Sequence, residues 1–336
     1  MSPCSRWQFS SFAFFAALRE TSFVRTVLTR SPDEAAEFIK RGGIDAFPTE
    51  TVYGLGANVF DERAVTKIFD AKQRPSDNPL IAHIANLEQI GQLAAKITES
   101  AEKFIHSFFP GPLTIVLQKS ELVPLIATAG LDTIAIRMPR FALAREFLAA
   151  CGTPVVAPSA NLSGRPSPTT WESVFEDLDG RIDCILQSDA TEIGLESTVV
   201  DCTSPIPLVL RSGSVSIDQL RLVVPETEIY QNVGGHAPRS PGMRHRHYSP
   251  RAKVVVVKNV ADLTFEAHSA YIGLDQLTVK FEQQKVCSDL EDYAHSVFEF
   301  FRECDRTTVE TIYCESVEEH GIGVALMDRI RRAAAK

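Results

Sequence analysis

The chain has 336 residues, 44% of them hydrophobic, which is enough apolar content for a large core and, at this length, for two domains. A net charge of -9 argues against a protein that coats nucleic acid, because that affinity rests on many Lys and Arg contacts, so any anion site must be local. Seven cysteines, at 4, 151, 184, 202, 287, 304 and 314, are odd in number and form no C-x-x-C pair; this speaks against a zinc site or disulfide framework and for a reducing compartment.

The first thirty residues hold four arginines, one acid and several serines. They read either as an organellar transit segment or as a poorly ordered extension over residues 1–26, and the extension is preferred. The expected location is therefore cytoplasmic, with organellar import the lesser reading. The apolar run 12–18 is too short to span a bilayer.

Order begins at Ser31-Pro32-Asp33-Glu34, an N-cap, a proline at the first helical position and a capping-box Glu, followed by helix to Arg41 and a stop at Gly42-Gly43. A strand over 44–47 leads into PTETVYGLG. If that stretch is extended, its period of two places Thr49, Thr51 and Tyr53 on one face, and Gly54 and Gly56 admit a close approach of backbone or ligand. Asp61 caps a helix to about residue 71, on which Ala64, Val65, Ile68 and Phe69 recur at helical spacing. In KQRPSDNPL, Pro75 biases Arg74 toward an extended conformation, so Lys72 and Arg74 point the same way, as a phosphate clamp requires. Asn78 precedes Pro79 and a short strand, 80–84, that contains His83.

Helical patterns over 87–94 and 98–107 lead to a buried strand at 113–118. The next strand, within TAGLDTIAIRMP, carries Thr133 and Arg137 four apart and therefore on one side. An arginine in a buried strand needs a partner, which is either an Asp or Glu of the chain or a substrate carboxylate held bidentately. A helix over 142–151 and the strand of TPVVAPSANLSGRPSPT end in a Ser, Pro and Gly-rich loop of the kind that carries sites in α/β sheets. Residues 169–172 read as a capping box that opens a helix toward 178; strands near 182–187 and 198–200 bracket GLEST; Arg211 ends an apolar strand; and 216–222 is a closing helix. Periodicity is lost over 224–251, a Gly, Pro, Arg and His-rich linker. His245 and His247 lie two apart with no nearby acid or Cys cluster, which does not suit a metal site. A small second α/β unit follows, with strands at 253–257, 270–272 and 309–313 and helices at 290–304 and at the end. In its GIGVALMDRIRRA the glycines either hold phosphate or, more simply, pack the turn.

The run PTET-Y-GLG, K-x-R-P, NPL and a following His, residues 46 to 84, resembles the signature of the YrdC-type family, the threonylcarbamoyl-AMP synthases. The resemblance extends through APSAN, SPT and GLEST to a linker of the SPGM-Y-HY-P kind found in the longer, two-domain members. It spans roughly residues 27–336 and is weakest over 253–320. One departure stands out: the first Tyr of the linker pattern is His245 here, whereas Tyr248 matches the second.

The resemblance implies an α/β fold with a YrdC-like twisted open mixed sheet over 27–223, a linker or lid over 224–251, and a smaller Rossmann-like α/β domain over 252–336. It also implies a nucleotidyltransferase that makes threonylcarbamoyl-AMP and pyrophosphate from L-threonine, bicarbonate or CO2 and ATP with Mg2+, without a tightly bound organic cofactor. The product would pass to a tRNA threonylcarbamoyltransferase for modification next to the anticodon. Lys72, Arg74, Asn78, Thr133, Ser159, Ser167, Arg211 and His245 would bind ATP, with Lys72 and Arg74 neutralising charge. Thr51, His83, Arg137, Ala157 and Ser197 would bind threonine, with Arg137 on its carboxylate. No covalent nucleophile is required. Two alternatives are an RNA-binding module, disfavoured by the acidic balance, and a carbamoyl-transfer maturation factor of the same fold, whose added C-x-x-C pairs are missing here.

Overall fold

The computed structural model describes residues 25–230 and 248–335, residue 265 excepted. The strands of the first domain are β1 (Val27–Thr29), β2 (Asp45–Phe47), β3 (Gly54–Asn58), β4 (Ile81–His83), β5 (Leu113–Gln118), β6 (Thr133–Arg137), β7 (Val155–Ala157), β8 (Cys184–Leu186), β9 (Thr198–Asp201), β10 (Leu208–Arg211) and β11 (Glu228–Ile229). They form one mixed sheet in the order β1-β8-β2-β3-β7-β4-β6-β5-β9-β10-β11. Its helices are α1 (Pro32–Lys40), α2 (Glu62–Lys72), α3 (Ile90–Leu93), α4 (Glu99–Phe108), α5 (Ala142–Cys151), α6 (Trp171–Leu178) and α7 (Ile217–Val223). The second domain has β12 (Lys253–Val257), β13 (Ser269–Gly273), β14 (Gln283–Val286) and β15 (Thr311–Glu315), all parallel in the order β12-β15-β13-β14, with α8 (Leu290–Asp305) and α9 (Ile322–Ala334).

Alternation along the strands sorts the first domain's core into layers. Ala46, Val156 and Ile185 join the main cluster with Val65, Ile68, Phe104 and Leu178 of the helices. Their strand neighbours Phe47, Val155 and Leu186 face the other way, against Ala35 and Ile39 of α1 and Phe147 and Leu148 of α5. Beyond α1 and α5 the second face continues over Ile81, Val116, Ala135, Val199 and Leu210. That stretch is where the site lies.

Ser31 caps α1 and Asp61 caps α2, but Glu34 does not complete a capping box: its carboxylate accepts from Thr29 Oγ1, and the Ser31 amide donates to that same hydroxyl. Four further expectations need correction. PTETVY is a turn, not strand; β2 and β3 pair antiparallel with Phe47 opposite Gly54, so the six residues between them must reverse the chain. Thr49 closes this turn, its hydroxyl donating to Val52 O at 2.7 Å and accepting from the Thr51 and Val52 amides. Thr170, not Thr169, caps α6, accepting from Ser173 N at 3.3 Å, because Thr169 is buried. The helix read over 87–94 splits into a 3-10 turn (Leu87–Gln89) and the short α3. The last strand runs two residues later than read, and β14, whose QQKV carries no apolar alternation, was not foreseen. Of the glycines that open α9, Gly323 packs the preceding turn, where a Cβ would lie 2.2 Å from Glu318 O, whereas Gly321, the N-cap, serves by its positive φ of 54° and not by packing.

Candidate active site

β4 and β6 pair in register with His83 beside Arg137, and β7 sets Ala157 beside Ile81. The period of two puts these four side chains on one face, opposite Ala82, Ile136 and Val156 of the main core. Arg211 reaches the same face by a different device. The β9–β10 register slips between Val209 and Arg211, so Arg211 pairs with Val199; an unbroken ladder would give that place to Leu210 and turn the arginine away.

The turn after β2 forms one wall. Arg137 Nη1 donates to Thr51 Oγ1 at 2.7 Å and Nε reaches Gly111 O at 3.4 Å, while Nη2 lies 2.9 Å from Glu50 Oε1, both side chains being buried. That contact is an ion pair without a directed hydrogen bond, and neither Nη2 nor Glu50 Oε2 has a hydrogen-bond partner. Arg137 thus has the carboxylate partner within the chain that a buried arginine needs, and it keeps donors for a second anion. His83 places Nδ1 3.1 Å from Ile81 O; burial, and then the Arg137 charge, push its pKa down to about 3, so the ring is neutral near pH 7. Gly56 permits this packing, since a Cβ there would meet Val155 at 2.6 Å and the Phe47 ring at 3.0 Å.

The opposite wall is cationic. Arg74 sits at the cavity with Nη2 3.3 Å from Asn78 O; its Nε and both polar side-chain atoms of buried Asn78 lack hydrogen-bond partners, and burial lowers the Arg74 pKa to about 10. Such unsatisfied buried groups are what a site shaped for a polar ligand leaves exposed to it. Lys72, at the end of α2, donates to the carbonyls of Ser159 and Asn161 from behind the loop, and burial, with the nearby Arg74, lowers its pKa. Ser159 Oγ donates to Asn161 Oδ1 at 2.5 Å, and Asn161 Nδ2 ties Leu162 O and Arg165 O. Ser167 Oγ donates to Glu196 Oε1 at 2.5 Å. Burial alone would raise the Glu196 pKa, but Arg329, Arg211 and Ser167 together hold it below the ordinary value. Arg211 donates through Nε and Nη2 to Ser197 O at 3.1 and 2.9 Å, and the Ser197 hydroxyl lies 2.8 Å from that of Thr114.

These walls enclose a cavity of about 70 Å³ that opens to solvent. Thr51, Arg74, His83, Arg137, Ala157, Ser159, Ser167, Ser197 and Arg211 all line the cavity. Lys72 and Asn78 stand behind its wall. Thr133 does share a face with Arg137 but sits at the far end of β6, about 13 Å away at ~3.3 Å per residue. His245 lies outside the described residues. Asn161, Arg165, Glu196 and Tyr248 also line the cavity without having been singled out for a role. Asn161, Glu196 and Tyr248 sit inside APSAN, GLEST and the linker pattern beside Ala157, the serines and His245 that the resemblance assigns as ligands, whereas Arg165 falls between APSAN and SPT.

A mixed α/β sheet with four arginines and a set of hydroxyls around one cavity, beside a small parallel-sheet domain, defines a two-domain α/β protein with a site suited to anionic, polar ligands. Residues 37–213 match a family model, Sua5_yciO_yrdC, described as "Telomere recombination", and residues 215–335 match one described as "Threonylcarbamoyl-AMP synthase, C-terminal domain". The threonylcarbamoyl-AMP synthase of Pyrococcus abyssi is 43% identical over 321 residues, covering 89% of this chain and 93% of its own. That of Bacillus subtilis is 38% identical, covering 90% and 92%. The crystal structure of P. abyssi Sua5 complexed with L-threonine superposes with a TM-score of 0.84 at 41% identity, covering 92% of this chain and 97% of that one. The chain belongs to the threonylcarbamoyl-AMP synthase family, in its two-domain form. Among the described residues no helix is long and apolar enough to cross a membrane.

Proposed function

We propose that this cavity joins L-threonine, bicarbonate or CO2 and ATP into threonylcarbamoyl-AMP and pyrophosphate, and that the residues named above divide between the two ligands. Family membership makes the chain an ATP-using nucleotidyltransferase that serves threonylcarbamoyladenosine modification of tRNA. The observation that carries the division is that the unspent donors of Arg137, beside Thr51, and the unpartnered groups of Arg74 and Asn78 belong to one cavity and its wall.

In this reading Arg137 takes the threonine carboxylate, and Thr51, neutral His83, the Ala157 backbone and Ser197 fix the rest of the amino acid. The threonine amine captures CO2 as a carbamate, releasing a proton. A carbamate oxygen then attacks the α-phosphorus of ATP, and the bond to the β-phosphate oxygen breaks to release pyrophosphate. Arg74 and Arg211 face the phosphates. Lys72 adds positive charge through the loop it holds, and Asn78, Ser159 and Ser167 orient the nucleotide. The chain's contribution is alignment and charge neutralisation, with no covalent intermediate.

Mg2+ would arrive as Mg-ATP. Among the described residues no group of three His, Cys, Asp or Glu forms a metal cage, which suits an ion held through phosphates and water. The ion would spread the charge of the leaving pyrophosphate. The product is a reactive mixed anhydride, so it would pass directly to a tRNA threonylcarbamoyltransferase. The test is pyrophosphate release from ATP with and without threonine and bicarbonate. Release that depends on both is expected, and release indifferent to threonine would remove the reading.

A further inference from the structure

Two buried arginines of the second domain end in the first domain's site loops. Arg302 of α8 donates to Asp177 at 2.9 and 3.2 Å and to Pro166 O. Asp177 in turn accepts from Arg165 at 2.6 Å and from Leu162 N at 3.1 Å. Arg329 of α9 is 1% exposed and reaches further. Its Nε donates to Glu196 Oε2 at 2.9 Å, its Nη2 to Ser212 O at 3.0 Å and its Nη1 to Asp328 at 2.6 Å, and its Cζ lies 5.4 Å from the centroid of the Tyr248 ring. Tyr248 also stacks on Phe298 of α8 at 5.2 Å. The backbone adds a constraint: Gly194, just before GLEST's Glu196, lies so close to α8 that a Cβ would meet His295 at 2.5 Å.

Three of Arg329's contacts therefore converge on the cavity. Glu196 carries the Ser167 hydroxyl on its other oxygen, Ser212 follows Arg211, and Tyr248 is itself a wall residue. A guanidinium is suited to this because its planar fork serves separate acceptors while its face lies on an aromatic ring. Building on the functional reading above, we propose that Arg329 is a positioning residue of the synthase: acting through Glu196 and Tyr248 from the second domain, it sets Ser167 and the Arg211 segment in the geometry that ATP requires. The second domain is then part of the nucleotide site although it touches no substrate.

The test compares Arg329→Met, Arg329→Lys, Glu196→Gln, the Arg329→Met/Glu196→Gln double variant and, as a control, Arg306→Ala. Arg306 also bridges the domains, to Glu176 and Ser173, but is partly exposed and remote from the cavity wall. Threonine-dependent pyrophosphate release by the parent first establishes the reaction, so its absence counts against the functional reading and not against Arg329. Arg329→Met and Glu196→Gln should each raise the ATP KM about tenfold or more while the threonine KM moves less than about threefold. The double variant should be no worse than the worse single, as expected of residues acting as one unit. Arg329→Lys should recover part of the loss, because an ammonium can still pair with Glu196 but cannot span all three contacts. Arg306→Ala should change melting temperature alone. Should Arg329→Met fail to fold, Arg329→Lys and Glu196→Gln carry the decision. An ATP KM within about twofold of the parent in folded variants, or additive losses in the double variant, would overturn the proposal.

Discussion

Arg137→Lys separates substrate recognition from fold maintenance more cleanly than any truncation. Removing the side chain altogether would strand the Glu50 carboxylate, which has no solvent exposure, at a cost of about 3–5 kcal/mol, and any kinetic effect would be lost in misfolding. Lysine keeps a positive charge near Glu50 but gives up the planar fork, and with it the hydrogen bond to Thr51 Oγ1 and the free Nη2 donors. A charge-assisted hydrogen bond contributes about 1.5–3 kcal/mol, and about 1.4 kcal/mol is tenfold in an equilibrium constant. The threonine KM should therefore rise about 10- to 150-fold, with the ATP KM changed by less than about threefold. Initial rates of pyrophosphate release over a matrix of both substrates measure the two constants, with a thermal melt to confirm folding. A folded variant whose threonine KM stays within about twofold of the parent would return Arg137 to a structural partner of Glu50 and nothing more.

Valine, which lacks the hydroxyl that Thr51 and Ser197 are placed to meet, should support pyrophosphate release at a kcat/KM lower by at least about a hundredfold; equal rates would reassign both hydroxyls. Asp177→Asn removes the charge that Arg302 and Arg165 share, so unfolding in urea should show a loss of about 3–5 kcal/mol, and a loss below about 1 kcal/mol would mean the pair is replaced by water. His83 is expected to stay neutral in the fold, its pKa near 3 lying below the ordinary 6.5, so the unfolded chain binds the proton first. Its contribution is full above about pH 6.5 and is lost as pH falls toward 3, by up to about 1.4 kcal/mol per pH unit. Denaturant midpoints measured at several pH values should accordingly show a flatter acid slope in His83→Gln, and an unchanged slope would mean that the ring protonates freely in the folded state.

What was legible in the sequence was mostly what is written in local chemistry. Ser31, Asp61 and Thr98 announce helix starts because an N-cap needs a short polar acceptor, and 113–118 announces a strand because both of its faces are buried. The site was legible as motifs, and nine of the proposed ligands do share one cavity. What could not be read was geometry set by pairing partners. PTETVY has a strand's composition, and only the antiparallel meeting of β2 with β3 makes it a turn. Thr133 shares Arg137's face, yet distance along β6 takes it from the cavity. Lys72 looked like a clamp beside Arg74, whereas the helix end aims it at two carbonyls. Glu196 was invisible as a functional group because its partner, Arg329, lies 133 residues away in a domain with its own core.

The slipped rung in β10 imposes a counting rule on this protein. Arg211 faces the cavity only because one residue, Leu210, is surplus to the ladder with β9. Deleting Leu210 would remove the surplus and leave the arginine opposite Val199, on the cavity side. Straightening the ladder with Leu210 retained would instead place Leu210 opposite Val199 and invert the parity of everything downstream. The arginine would swing toward the apolar face that carries Val200 and Val209, where an unpaired charge costs several kcal/mol, and Ser197 would lose both donors to its carbonyl. Deletion of Leu210 should thus be tolerated better than a substitution at unchanged length that straightens the ladder, because only the second turns Arg211 from the cavity.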